Sequence, residues 1–126
     1  MLEENRSYSR TEVSVPAILH DSIQNGEINC MVRDVSEKGI CFEVPTDEEF
    51  VDNLRTGDSV HFQFIDTFQY GKESETDILS SDCTIRYRKI IGNIIRIGCY
   101  VCEKEFMQYA IRKEVVKSIG KIYATA

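Results

Sequence analysis

Residues 12–44 read EVSVPAILHDSIQNGEINCMVRDVSEKGICFEV, and this stretch decides the fold. Residues 12–20 alternate apolar and polar and are rich in β-formers, the pattern of a half-buried strand. Pro16 has no N–H to give to a ladder, so an edge position or a bulge is expected there. Asn25-Gly26 is a strong hairpin signal. Residues 27–35 then form the returning strand, Ser36–Gly39 a turn, and Ile40–Val44 a third, short strand. Antiparallel pairing across Asn25-Gly26 puts the start of the first strand and the end of the second at the same end of the sheet. Two polar segments meet there: Arg6-Ser7-Tyr8-Ser9-Arg10 and Asp34-Val35-Ser36-Glu37-Lys38-Gly39.

Downstream, Pro45 closes the third strand. Thr46–Leu54 (TDEEFVDNL) reads as a short helical turn with Thr46 or Asp47 as N-cap. After a turn at Thr56-Gly57-Asp58, residues 59–66 alternate, with Val60, Phe62 and Phe64 on one face and His61, Gln63 and Ile65 on the other. Residues 67–77 read as a polar loop. Residues 78–90 and 94–102 form the last strand pair, joined near Gly92-Asn93. Phe106, Tyr109, Ala110, Lys113, Val116 and Ile119 then fall at helical spacing, with Gly120 as the stop. The expected fold is mainly β: a flexible segment over 1–11, a six-stranded antiparallel barrel over 12–103, and an α-helix over 104–120 that covers one mouth or side.

The chain has 126 residues, the size of one domain with a core of its own. A net charge of −6 argues against DNA or RNA, whose phosphates repel such a chain, but not against a small phosphate ligand held by local arginines. No apolar run approaches the roughly 20 residues of a membrane span, and Met1–Arg10 lacks the apolar centre of a secretory signal. A cytoplasmic protein without a membrane partner is expected. Five cysteines, an odd number, point to free thiols in a reducing compartment.

The two polar segments carry the chemistry. Guanidinium forks on Arg6 and Arg10 match phosphate oxygens or the O6/N7 edge of guanine, and their planes stack on bases. An ionised Asp34 accepts from the N1–H and N2 amine edge of guanine. Ser36 donates or accepts, and Gly39 permits positive φ and close approach of a ligand to the backbone. A guanine nucleotide with phosphates uses all of these features. Other residues carry blander readings. Cys99 and Cys102, three apart on a strand, point to opposite faces and have no second pair to complete a metal site. Cys30, Cys41 and Cys83 read as strand core. His20 and His61 stand without paired carboxylates at catalytic spacing, and no nucleophile motif or metal triad is legible, so neither an enzyme nor a cofactor is expected.

RxxxR ahead of a first strand, followed by DxSxxG at the end of the second, resembles the PilZ domain family. RDVSEKGICFEVP, LRTGDSVHFQF, TIRYRK and GCYVCEKEF follow in that family's order, so the resemblance extends over about residues 5–120. It implies a six-stranded PilZ-type barrel with a C-terminal helix, and cyclic di-GMP as ligand. Arg6 and Arg10 would grip phosphate and guanine and order the N-terminal loop. Asp34, Ser36 and Gly39 would contact guanine and shape the floor. Asn5 stands where many members carry a further arginine, so one or two bound nucleotides per chain are both open. Glu37 and Lys38 occupy positions where a small residue is common. The implied function is a receptor that passes the second-messenger signal to an unidentified downstream protein. The alternative is a ligand-free adaptor in motility or pilus assembly. An amphipathic C-terminal helix leaves a homodimer open as well.

Overall fold

The computed structural model describes residues 10–21 and 26–125. Six strands run in order: β1 (Thr11–Asp21), β2 (Gly26–Ser36), β3 (Gly39–Pro45), β4 (Ser59–Tyr70), β5 (Glu73–Ile91) and β6 (Ile94–Tyr100). They close into a barrel in the spatial order β1-β2-β3-β6-β5-β4. Every neighbouring pair is antiparallel. The helix α1 (Lys104–Thr125) follows. The mainly-β, helix-terminated class expected from the sequence is the one observed.

Alternation dictates which residues fill the barrel. Val60, Phe62 and Phe64 are buried, while Ile65 on the opposite face of β4 is 55% exposed. Phe62 is the hub. Its ring centre lies 6.0 Å from Phe42, 5.7 Å from Phe64 and 5.8 Å from Phe106 at the start of α1. The first turns of α1 thereby plug the barrel with Phe106, Tyr109 and Ala110, all buried. Glu103 accepts from the backbone N–H groups of Glu105 and Phe106 and so caps the helix start. Pro16 lies just outside the part of β1 that pairs with β4, a local edge where its missing N–H costs nothing.

Three expectations need correction. Residues 67–77 are not a loop: β4 and β5 continue as a paired ribbon to Tyr70↔Glu73, turning at Gly71 (φ 63). The ribbon is mostly polar, which reads as loop in sequence, but α1 holds it from the side. Phe68 is buried under Tyr109, Arg112 and Lys113, with the Arg112 guanidinium 4.2 Å from its ring centre. Arg112 also pairs with Glu75 and Asp77. The helix does not stop at Gly120 but runs to Thr125, because one glycine costs a helix only ~1 kcal/mol and no proline follows. Ile119, assigned by spacing to the packed face, is 45% exposed. Finally, Thr46–Leu54 forms a turn and one 3-10 turn, Val51–Asn53, without a side-chain cap from Thr46 or Asp47. Its entry residue is Phe50 in the left-handed region (φ 71), whose ring occupies the space a side chain at Gly26 would need.

Candidate functional site

The start of β1 and the end of β2 do meet: Thr11 pairs with Val35 and Glu12 with Asp34. This places Arg10, just ahead of β1, beside Asp34, with guanidinium and carboxylate 4.0 Å apart. Asp34, Ser36 and Gly39 follow around the β2–β3 turn, where Ser36 pairs with Gly39. Arg10, Asp34, Ser36 and Gly39 line one cleft of about 410 Å³. Arg6 lies outside the described residues. Gly39 does not use positive φ. Its role is spatial: a Cβ there would sit 3.2 Å from Ser36 Oγ and 3.6 Å from the Cys99 carbonyl, crowding the serine.

The far wall of the cleft comes from β5 and β6 and carries residues outside both motifs. Arg86 lies with its guanidinium 4.8 Å from the centre of the Tyr100 ring, a flat cationic surface of the kind that accepts a base or a phosphate. Beside it, Tyr87 lies so close over Gly98 that any side chain at 98 would collide with its ring. Backbone irregularities aim these groups. The ladder slips between Glu12 and Val15 in β1–β2, between Val32 and Asp34 in β2–β3, and between Ile85 and Tyr87 in β5–β6. Each slip lies beside a cleft residue, and bulges redirect side chains in this way. Sequence reading misses Arg86, Tyr87 and Tyr100 because the β5–β6 slip, which takes Tyr87 off the buried face of Cys83 and Ile85 and lays it over Gly98 in the cleft, leaves no mark in the alternation.

Tyr87 also fixes the protonation of the floor. Its hydroxyl lies 3.5 Å from the Cys41 sulfur. Burial and that hydrogen bond push the phenol up to about 12, against the lowering effect of the Arg10 charge. Burial likewise raises the Cys41 thiol, with Asp34 adding to the rise while the bond to Tyr87 and the Arg96 and Arg10 charges oppose it. At neutral pH the Tyr87 and Cys41 floor is therefore uncharged, and among the described residues the charges of the cleft are those of Arg10, Asp34, Lys38 and Arg86. A pKa raised on folding stabilises below the unfolded value and loses that contribution as pH rises through the folded value. Stability is accordingly expected to fall between about pH 10 and about pH 12. Tyr87→Phe should flatten part of that fall in urea titrations run across the same range. An unchanged alkaline profile would show that Tyr87 is not the group concerned.

Cys30, Cys41 and Cys83 are buried on their strands as expected; Cys99 is buried as well, and Cys102, just beyond β6, is exposed. Burial pushes the Cys30 thiol up to about 12. Among the described residues no three histidine, cysteine or carboxylate side chains converge on a metal position. Among the same residues no helix is long and apolar enough to cross a membrane.

Comparison with known proteins agrees with this architecture. The family model of the PilZ domain matches residues 4–103. No curated protein matches the chain. Among solved structures, the Bacillus subtilis inhibitor of motility MotI/DgrA is similar, with a TM-score of 0.62 at 15% identity, over 90% of this chain and 52% of that one. YcgR from Escherichia coli, solved in complex with c-di-GMP, is similar with a TM-score of 0.59 at 12% identity, over 94% of this chain and 50% of that one. The chain spans about half the length of both. With the family model covering most of its length and the barrel and helix in place, the chain belongs to the PilZ domain family.

Proposed function

We propose that the cleft between the β1 start, the β2–β3 turn and the β5–β6 wall is a receptor site for cyclic di-GMP. The observation that carries this is the convergence of Arg10, Asp34, Ser36 and Gly39 on one cleft faced by Arg86 and Tyr100. Arg10 supplies a fork for a phosphate or for the guanine O6/N7 edge. Asp34 accepts from the Watson–Crick edge, and the Arg86–Tyr100 surface stacks against a base. That YcgR was solved in complex with c-di-GMP supports the choice of ligand. In this reading Arg6 joins Arg10 at the phosphates, and the N-terminal segment closes over the nucleotide. The closed segment then forms the surface that a downstream protein reads in the cytoplasm.

Calorimetric titration with cyclic di-GMP, with GTP and cyclic di-AMP as controls, tests the reading. Micromolar or tighter binding of cyclic di-GMP alone is expected. No heat and no thermal shift with any of the three would overturn it, leaving the ligand-free adaptor as the better account.

A further inference from the structure

The two histidines do have carboxylates beside them, contrary to their isolation in sequence. They stand on the outer barrel face at the Asp21 end of β1, roughly 30 Å along the strand from the Arg10 end. His20 lies 3.9 Å from Glu27, and its ring centre is 6.1 Å from that of His61. His61 is the more complete case. Its Nδ1 is 2.9 Å from Asp82 Oδ1, and its Nε2 is 2.6 Å from Ser80 Oγ. Both partners come from β5. Register explains the arrangement: His61 opposes Asp82, Gln63 opposes Ser80 and Ile65 opposes Ile78, all on one outward face. Ile65 and Ile78 are 55% and 65% exposed and form an apolar strip next to Ser80.

From this geometry we infer that Ser80 is an activated nucleophile, a modification site that accepts an aliphatic acyl group from an activated carboxylic ester. With Nδ1–H donated to Asp82, the lone pair on Nε2 accepts the Ser80 hydroxyl proton. The Ser80 Oγ–carbonyl bond forms and the bond from the carbonyl carbon to the leaving oxygen breaks. The proton taken by His61 passes to that departing oxygen, and no electron is gained or lost. Asp82, 2.9 Å from Nδ1, holds the imidazole in the required tautomer and orientation. Gln63, the register partner of Ser80, carries carboxamide N–H donors within cross-strand reach of the carbonyl oxygen. The acyl chain lies along Ile65 and Ile78. An open strand face offers this one side-chain donor in place of a pair of backbone N–H groups. Acylation is therefore slow by the standard of a hydrolase, and the product is a modified serine.

The test is incubation of the full chain with p-nitrophenyl butyrate, followed by intact mass measurement and peptide mapping. One butyryl adduct on Ser80 is expected. It should form about a hundredfold faster than in His61→Gln, be absent in Ser80→Ala, and form more slowly in Asp82→Asn. All three positions are on the exposed face, and thermal melts of the variants confirm folding. No adduct, an adduct confined to lysines or other serines, or equal rates in wild type and His61→Gln would each overturn the inference.

Discussion

Arg10→Ala is expected to weaken cyclic di-GMP binding by roughly ten- to a hundredfold while leaving the fold intact. A hydrogen bond to a charged group is worth ~1.5–3 kcal/mol, and each 1.4 kcal/mol is a factor of ten. Arg10 is the described arginine that lies on the motif side of the cleft, beside Asp34. Its loss removes the fork and the cation 4.0 Å from the Asp34 carboxylate. Folding should hardly change, because the Arg10–Asp34 pair is 4.0 Å apart with Arg10 38% exposed, and such surface pairs contribute about 0–1 kcal/mol. Calorimetric titration of the variant and a thermal melt read the two effects separately. Wild-type affinity in Arg10→Ala, with binding by the parent protein intact, would place the nucleotide elsewhere on the barrel.

Phe62→Ala should cost about 3–5 kcal/mol of folding stability, the range for emptying a buried aromatic site. Phe62 is fully buried and touches rings from three other places in the chain: Phe42 on β3, Phe64 on β4 and Phe106 on α1. Removing it opens a cavity where barrel and helix meet, and collapse would require shifting several strands at once. Against a total stability of about 5–15 kcal/mol this is a large fraction. Urea unfolding monitored by circular dichroism measures it. A loss below about 1.5 kcal/mol would mean that α1 moves in to fill the space, and that Phe62 does not join helix to barrel.

Period-two alternation in β1, β2 and β4 was readable because those strands separate a buried face from a wet one. The pairing of Arg10 with Asp34 was readable because antiparallel pairing of two strands adjacent in sequence fixes which strand ends meet. The ribbon over 67–77 was not, because a single buried Phe68 among mostly polar residues gives no period to read. What holds it is Phe68 and the carboxylates of Glu75 and Asp77, gripped by Arg112 from a helix 35 or more positions away. Gly120 misled for a related reason: a glycine is a stop only if nothing beyond it favours continuing.

By itself, then, the sequence determined the mainly-β class, the closing helix and one side of the cleft, since these follow from local patterning and from two strands that are neighbours in sequence. Tertiary structure alone decided the other side. Arg86, Tyr87 and Tyr100 enter the cleft through a ladder slip between β5 and β6, and His61 gains Ser80 and Asp82 through the register of β4 on β5. Register is set by the packing of the whole barrel, because a one-residue shift would turn every buried side chain outward, and no local stretch of sequence carries that information.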